Sequence, residues 1–222
     1  MRKPGTVDWT LCVVTDARLV GPRSLAEVIG AVIRGGAKVI QYREKDLTTL
    51  QMVNSAKILR QVCQQLGAVF LVNDRLDVAL AVDADGVHLG QNDMPVGIAR
   101  RLLGKEKLLG VSVQDAGAMD EAAREGADYL SLSPVFATPT KPDHEEPLGL
   151  EKVRVLAGRS PLPVVAIGGI NATNVGAVMR AGAHGVCVIS AVLGAPDPEQ
   201  AARELYQLAR AARAEPEHAG CR

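Results

Sequence analysis

The sequence is poor in aromatic residues and has no excess of charge of either sign. Phe, Trp and Tyr make up only 3% of the 222 residues, and the remaining apolar residues are mostly small or aliphatic, which favours helices packed on apolar parallel strands over an all-β sandwich. Lys and Arg number 25, and Asp and Glu also number 25, so the formal net charge is zero. A neutral chain has no general attraction to nucleic acid or to an anionic membrane. Any basic site must therefore be local.

Long apolar runs and cysteine motifs are also missing. No stretch approaches the roughly 20 apolar residues that a membrane helix needs, and residues 1–10 contain no apolar region of the signal-peptide kind. The cysteines show neither metal-ligand nor C-x-x-C spacing and are expected to be reduced thiols; they are Cys12, Cys63, Cys187 and Cys221. These absences predict a soluble, cytoplasmic protein without a nucleic-acid or membrane partner. The oligomeric state stays open, a homo-oligomer included.

Apolar runs of strand length alternate with segments of helical periodicity along the chain. Strands are predicted at residues 11–15, 37–41, 68–72, 86–89, 108–113, 127–132, 164–167 and 185–189. Helices are predicted at residues 24–34, 48–66, 76–81, 95–103, 115–125, 150–157, 174–181 and 198–214. Eight such repeats favour a single closed (β/α)8 (TIM) barrel with parallel strands, spanning residues 1–222, over an open doubly wound sheet. Residues 215–222 are expected to form a disordered tail.

Short signals at the predicted element boundaries support this count. A glycine followed by alanine precedes four of the predicted strands, at Gly36, Gly67, Gly126 and Gly182. Glycine at such a position can take the left-handed conformation that ends a helix. Ser24 and Glu27 have the spacing of a capping box. If the sheet closes, Cys12 and Cys187 lie on neighbouring first and last strands, where a disulfide is a minor alternative to two thiols.

The segment Gln41-Tyr42-Arg43-Glu44-Lys45 closes the second predicted strand and opens a polar turn. Strand alternation places Gln41, Arg43 and Lys45 on one face, and it places Tyr42 and Glu44 on the other. One amide and two cations at a strand end suit a ligand that carries a polar ring and several negative charges. An ordinary charged strand end at the surface is the alternative interpretation.

Further polar residues follow the carboxyl ends of other predicted strands, where barrel enzymes build their active sites. Asp74 and Asp93 follow neighbouring strands, and such a carboxylate pair suits Mg²⁺ bound together with substrate phosphates. Taken singly, each aspartate is also typical of a helix N-cap or a turn. Gly168-Gly169 and the segment 185–190 stand where barrels bind phosphate through backbone N–H groups.

No arrangement typical of nucleophilic catalysis is readable in the sequence. His88 has the pattern of a buried, hydrogen-bonded histidine inside a strand, which we prefer to a catalytic role. Neither a Ser-His-Asp nor a Cys-His set is apparent. The predicted chemistry is therefore one that needs charge stabilisation more than a nucleophile.

Six short motifs occur in order from the second predicted strand to the eighth. They are residues 41–45, Val72-Asn73-Asp74 with 86–93, Gly110-Val111-Ser112, residues 134–141, residues 166–170 and Val188-Ile189-Ser190. Together they resemble the thiamine-phosphate synthase family of barrel enzymes. One departure is Ser133, where that family usually has glycine before the proline; the change concerns loop detail and not the chemistry.

The resemblance implies the Mg²⁺-dependent condensation of 4-amino-2-methyl-5-hydroxymethylpyrimidine diphosphate with 4-methyl-5-(2-hydroxyethyl)thiazole phosphate. The products are thiamine phosphate and pyrophosphate. The resemblance assigns the pyrimidine diphosphate to Gln41, Tyr42, Arg43, Glu44, Lys45, Asn73, Ser112 and Lys141. It assigns the thiazole phosphate to Thr138, Pro139, Thr140, Gly169, Ile189 and Ser190, and the metal to Asp74 and Asp93.

The residues are compatible with that reaction. An amino-substituted pyrimidine ring can stabilise positive charge, so the bond to pyrophosphate can break before the new bond forms. Arg43, Lys45, Ser112 and Lys141 are expected to act on the leaving group as the catalytic residues. A thiazole tautomerase-like relative, a non-catalytic thiamine-precursor sensor and a sugar or indole isomerase are the alternatives. The first two would not need the cations and carboxylates, and the isomerase would need an acid-base pair.

Overall fold

In a computed structural model, which describes residues 6–138 and 146–214, the chain forms a closed barrel of eight parallel strands. The strands are β1 (Leu11–Val14), β2 (Val39–Tyr42), β3 (Val69–Asn73), β4 (Gly86–Leu89), β5 (Leu108–Val113), β6 (Tyr129–Leu132), β7 (Val164–Ile167) and β8 (Gly185–Val188). Each strand pairs with the next in sequence, and β1 pairs with β8. The (β/α)8 barrel predicted from the alternation is confirmed.

Helices connect the strands and cover the outside of the barrel. They are α1 (Leu25–Arg34), α2 (Thr49–Leu66), α3 (Leu76–Ala81), α4 (Val96–Leu103), α5 (Ala116–Glu125), α6 (Gly149–Arg159), α7 (Val175–Arg180), α8 (Ser190–Leu193) and α9 (Pro198–Ala214). The described residues thus contain one more α-helix than the eight predicted, because a single turn, α8, follows β8. A short 3-10 helix, Ala17–Leu19, also follows β1. Most other boundaries differ from the predicted ones by one or two residues, which is the usual difference at the ends of helices and strands.

Apolar side chains fill two separate layers. One layer lies between the strands and the helices and contains Tyr42, Phe70 and Met119 among its largest side chains. The other fills the barrel interior, where the rings of Trp9 and Tyr129 are in contact, with 4.3 Å between their centroids and 31° between their planes. This division leaves the carboxyl ends of the strands free to carry polar groups.

Glycines on three strands lie where a neighbouring strand or side chain approaches too closely for a Cβ atom. A Cβ atom on Gly86 would lie 2.1 Å from the backbone oxygen of Leu108, and one on Gly110 would lie 2.1 Å from the Tyr129 ring. A Cβ atom on Gly185 would lie 1.7 Å from the Trp9 carbonyl oxygen. A larger residue at any of these three positions would therefore disturb the close packing of the strands.

The capping interactions at the helix ends agree only in part with those predicted from the sequence. A capping box forms at Thr48, whose hydroxyl accepts a hydrogen bond from the backbone N–H of Gln51 while the Gln51 side chain accepts from the backbone N–H of Thr48. The capping box predicted at Ser24 is wrong, because the Ser24 side chain makes no capping hydrogen bond. Gly67 ends α2 in the left-handed conformation, with φ of 74°, as predicted.

The first and last strands of the barrel, β1 and β8, pair with each other. Cys12 and Cys187 are direct partners in the β1–β8 register, and both thiols are free. The predicted adjacency is confirmed. On the outside, the Arg23 guanidinium donates hydrogen bonds to the carbonyl oxygens of Leu193 and Ala195, at 2.9 and 3.0 Å, and so ties the start of α1 to the end of α8.

None of the helices in the described part of the chain combines the length and the apolar composition that crossing a bilayer would require. The prediction of a disordered tail at residues 215–222 lies outside the described residues.

Protonation of His184 is expected to destabilise the fold at mildly acidic pH. His184 Nδ1 accepts a hydrogen bond from the Val164 backbone N–H at 3.1 Å. Burial, together with the charge of Arg213, lowers the pKa of His184 below its ordinary value of 6.5. The unfolded chain therefore binds a proton more readily than the folded chain, and stability is lost as pH falls through 6.5 towards the folded pKa.

Urea unfolding of the wild type and His184→Asn between about pH 7.5 and about pH 5 tests this expectation. Asparagine offers an acceptor oxygen to Val164 but does not titrate. The wild-type free energy of unfolding should fall relative to that of the variant as pH decreases. Parallel curves for the two proteins would contradict it.

Candidate active site

A cavity of about 440 Å³ opens at the carboxyl ends of the strands. Strands or the loops that follow them contribute side chains to its wall from every side of the barrel. Residues of this wall that were predicted as site residues are Gln41, Arg43, Asn73, Asp74, Ser112, Thr138, Gly169, Ile189 and Ser190. The structure therefore brings most of the predicted residues together in one place.

Gln41 and Arg43 face the cavity, as their shared parity on β2 predicts. Gln41 is buried, with 8% of its surface exposed. The Thr15 hydroxyl receives a hydrogen bond from the Arg43 backbone N–H at 2.9 Å and donates one to the Arg43 carbonyl oxygen at 3.1 Å. The backbone from which the guanidinium projects is therefore held in place by β1.

Lys45 lies at the edge of the cavity and not in its wall. Its side chain lies in a neighbouring depression shared with Arg43, and its ammonium group contacts the Asp74 carboxylate at 2.5 Å. Asp74 in turn lines the cavity. Lys45 is half exposed but is held at the cavity edge by this ion pair.

Tyr42 and Glu44 do not line the cavity, so their assignment to the pyrimidine diphosphate stays a prediction. Tyr42 is 1% exposed and packs beside Phe70 in the layer between barrel and helices. The Glu44 carboxylate accepts hydrogen bonds from the backbone N–H groups of Lys45 and Asp46, at 2.7 and 3.0 Å. Tyr42 has the opposite strand parity to Gln41 and so points away from the cavity, whereas Glu44 lines the neighbouring depression beside Lys45.

Asp74 and Asp93 form a carboxyl pair at the ends of β3 and β4. Asp74 has a left-handed backbone, with φ of 63°, and its N–H donates to the His88 carbonyl oxygen at 2.8 Å. The Asp93 carboxylate accepts a hydrogen bond from the Gly90 N–H at 2.7 Å. Neither side chain caps the helix that follows it, so the N-cap alternative is wrong for both, although Asp93 also stabilises its own turn.

The pKa values of the pair move in opposite directions. Burial and the neighbouring Asp74 carboxyl raise the pKa of Asp93. Burial also acts on Asp74, but hydrogen bonds from Lys45 and Asp93 outweigh it and lower the pKa of Asp74. Two adjacent carboxyl groups whose pKa values are pushed apart are a place where a cation would relieve mutual repulsion.

This donor set fits a hard divalent cation. In residues 6–138 and 146–214 no group of three or more His, Cys, Asp or Glu side chains is placed to hold a metal ion. Two carboxylates are nevertheless sufficient for Mg²⁺, which commonly takes its remaining ligands from water and substrate phosphates. The pair therefore suits a metal that arrives with a phosphorylated ligand.

The opposite wall is built from the loops after β7 and β8. Gly168 and Gly169 have φ values of 107° and 64°, and added Cβ atoms would lie 2.7 Å from Pro134 Cβ and from the Ala137 carbonyl oxygen, respectively. These glycines are needed for close packing on the loop after β6, a reason that the sequence reading did not include. Ile189 and Ser190 line the cavity where α8 begins.

The loop after β6 carries four of the predicted residues of the thiazole phosphate and pyrimidine diphosphate sites. Thr138 lines the cavity. Pro139, Thr140 and Lys141 lie outside the described residues, so their assignments stay predictions.

A buried polar cluster that the motif analysis missed lies in the cavity wall. His88 Nδ1 is 2.8 Å from the Tyr129 hydroxyl, and His88 Nε2 is 3.0 Å from the Ser112 hydroxyl. The interpretation of His88 as a buried, hydrogen-bonded histidine is confirmed. Tyr129 has the same strand parity as Ser131 and Ser133, which also line the cavity, and this parity was the available signal.

The two interior cysteines add no nucleophile to the site. Cys12 and Cys187 both line the cavity. Burial raises the pKa of Cys187 to about 12 and that of Cys12 well above its ordinary value. Both remain neutral thiols near neutral pH, and the wall that they form is apolar in character.

Comparison with known proteins gives consistent results. A family model described as thiamine monophosphate synthase matches residues 11–192. A thiamine-phosphate synthase from Chloroflexus aurantiacus is 55% identical over 202 residues, which cover 91% of this chain and 93% of the relative. One from Roseiflexus sp. is 48% identical over 94% of this chain and 88% of its own length.

Solved structures agree with this result. A thiamine phosphate pyrophosphorylase from Pyrococcus furiosus superposes with a TM-score of 0.84 at 40% identity, covering 92% of this chain and 97% of that one. A 3-hexulose-6-phosphate synthase superposes with a TM-score of 0.66 at 19% identity, a likeness that extends to the fold alone.

Proposed function

Because this chain belongs to the thiamine monophosphate synthase family, we propose that it joins the pyrimidine diphosphate to the thiazole phosphate and releases pyrophosphate. Its activity is that of a transferase in thiamine biosynthesis, the activity of its relatives. The substrates are small charged molecules, and a cytoplasmic location is part of the proposal.

The observation that carries the proposal is the division of one cavity into two unlike walls. Gln41, Arg43 and Asp74 line one wall, with Asp93 beside Asp74 and Lys45 at the edge. The other wall contains Gly169 and Ser190. An amide, two cations and a carboxylate pair suit a polar ring with a diphosphate, and exposed backbone with a hydroxyl suits a single phosphate.

Positively charged side chains of the protein lie where negative charge develops on the leaving pyrophosphate. The bond between the pyrimidine methylene and the diphosphate oxygen breaks first, because the amino-substituted ring stabilises the positive charge left behind. Arg43 and Lys45 stabilise the negative charge on the departing pyrophosphate, and Lys141 is assigned the same task. Such preorganised charges contribute several kcal/mol to lowering a barrier.

The second bond needs no general base. The thiazole nitrogen has a lone pair and no proton to lose, so it can attack the methylene directly. The protein has to hold the thiazole phosphate opposite the pyrimidine, a task that we assign to Thr138, Pro139, Thr140, Gly169, Ile189 and Ser190. The absence of a nucleophilic triad among the described cavity residues agrees with this chemistry.

Asp74 and Asp93 are assigned to hold Mg²⁺. When bound, the ion would offset the charge of the diphosphate and make it a better leaving group. Asn73 and Ser112, which line the same wall, would complete the pyrimidine diphosphate site.

A direct assay tests the proposed function. The purified protein is mixed with both precursors and Mg²⁺, and thiamine phosphate and pyrophosphate are measured by mass spectrometry and a coupled assay. Equal amounts of both products are expected. Folded protein that yields neither product would overturn the proposal, and isomerisation of the thiazole alone would favour the tautomerase-like alternative.

A further inference from the structure

The sixth strand of the barrel stands between the two walls of the cavity and carries polar side chains on its inner face. Tyr129, Ser131 and Ser133 alternate along β6 and the residue that follows it, and all three line the cavity. Ser112, which is assigned to the pyrimidine diphosphate, belongs to the preceding strand, and Gly169, which is assigned to the thiazole phosphate, follows the next one. The proposed function assigns no role to β6.

Ser131 combines deep burial with a hydroxyl that has no partner in the described part of the protein. It is 5% exposed and lines the cavity. The Tyr129 hydroxyl bonds to His88, but within residues 6–138 and 146–214 no hydrogen bond involves the Ser131 hydroxyl. A buried hydroxyl usually has a partner, because burial without one costs free energy. The partner of Ser131 is therefore to be sought among the molecules that enter the cavity.

The strand register puts Ser131 beside Ser112. The two residues are direct partners in the β5–β6 pairing, and on its other side Ser131 is paired with Val165 of β7. Neighbouring strands lie about 4.8 Å apart, and both serines line the cavity. Two hydroxyls at that separation can donate to oxygens of the same phosphate group, since each O–H···O bond is about 2.7 Å long.

The neighbours of Ser131 indicate which substrate its hydroxyl meets. Its β7 partner is apolar, and at β1, the other strand between the two walls, Cys12 and Val14 line the cavity. Ser112 is the polar neighbour, and its own hydroxyl already lies 3.0 Å from His88 Nε2. Ser131 therefore adds a second hydroxyl on the side of the pyrimidine diphosphate.

We propose that Ser131 is a further binding residue for the diphosphate: its hydroxyl donates a hydrogen bond to a phosphate oxygen beside Ser112 and keeps this bond as pyrophosphate leaves. The inference rests on the proposed function, since it concerns the leaving group of that reaction. A hydroxyl is a neutral donor. It stabilises the departing anion without placing another positive charge near the pyrimidine methylene, where positive charge develops in the same step.

The stability of Ser131→Ala without ligand is the first test. Removing a hydroxyl that bonds no group of the protein should not lower the free energy of unfolding. The urea unfolding midpoint of the variant should therefore equal or exceed that of the wild type. A lower midpoint would show that the hydroxyl is bonded within the protein, and it would overturn the inference.

Binding of inorganic pyrophosphate in the presence of Mg²⁺ is the second test, and it requires no turnover. Calorimetry should show about tenfold weaker pyrophosphate binding in Ser131→Ala, the loss expected when one hydrogen bond to a charged group is removed. Thiazole phosphate should bind within about twofold of the wild-type affinity. Equal pyrophosphate affinity in the two proteins, a wild type that does not bind pyrophosphate, or a loss confined to thiazole phosphate would each overturn the inference.

Two matched variants separate hydrogen bonding from side-chain volume. Ser131→Cys fills the same position with a thiol, which is a weak donor, and should lose pyrophosphate affinity as Ser131→Ala does. Retained affinity in Ser131→Cys would assign the effect to packing and overturn the inference. Ser24→Ala removes an exposed hydroxyl that makes no capping hydrogen bond and should leave pyrophosphate binding unchanged.

Turnover distinguishes this inference from the proposed function. The kcat/KM of Ser131→Ala for the pyrimidine diphosphate should be about tenfold below that of the wild type. An unchanged kcat/KM would overturn the inference even where the wild type makes thiamine phosphate. A wild type that makes none would instead overturn the proposed function.

Discussion

Asp93→Asn is expected to slow pyrophosphate release by roughly a thousandfold, the loss that follows when a metal that stabilises a leaving group is no longer held. Asparagine keeps the side-chain oxygen that accepts from the Gly90 N–H, so the loop should keep its shape. It removes the negative charge that, together with Asp74, is assigned to bind Mg²⁺. Turnover measured over a series of Mg²⁺ concentrations should show both a lower maximum and a weaker dependence on the metal.

Asp77→Asn is the matched control for this change. Asp77 lies in α3, three residues after Asp74, and pairs with Arg75 at the surface, at 2.6 Å. Because Asp77 is exposed and does not line the cavity, its replacement should leave turnover within about twofold of the wild type. Full Mg²⁺-dependent activity in Asp93→Asn would remove the metal assignment while leaving the family membership intact.

Gly185→Ala is expected to destabilise the protein by about 3 kcal/mol or more, or to prevent folding. The added Cβ would lie 1.7 Å from the Trp9 carbonyl oxygen and 2.4 Å from its carbon. These are backbone atoms, and the next backbone group is fixed by the hydrogen bond from the Val186 N–H to the Thr10 oxygen. The clash can be relieved only by separating β1 from β8. Urea unfolding followed by circular dichroism measures the effect.

Gly158→Ala provides the opposite case with the same chemical change. Gly158 lies near the end of α6 with no atom within 4 Å of its added Cβ. Alanine there should increase the free energy of unfolding by about 0.5 to 1 kcal/mol, because the unfolded chain loses conformational freedom. Similar effects of the two substitutions would show that space inside the barrel does not limit its stability.

The fold was largely predictable from periodicity. Parallel strands buried on both faces appear as short apolar runs, and the helices between them repeat often enough for the count to indicate closure. Strand parity also placed Gln41 and Arg43 correctly. Tyr42 does not line the cavity, although it belongs to the same motif, because the backbone turns successive side chains to opposite faces.

Other features could not be predicted from a single stretch of sequence. Ser24 and Thr48 both begin a capping-box pattern, but only Thr48 makes the hydrogen bonds. Tyr129 belongs to no recognised motif. Its contact with His88 arises from the register that sets His88 opposite Gly110 and Gly110 opposite Tyr129.

The joining of β1 to β8 has a consequence for biosynthesis. The contacts that complete the barrel, including those of Arg23 with Leu193 and Ala195, link positions about 170 residues apart. A nascent chain that has emerged only as far as β7 exposes two unpaired strand edges and the apolar interior between them. The barrel can therefore close only near the end of translation, and the incomplete chain is the species most in need of protection from aggregation.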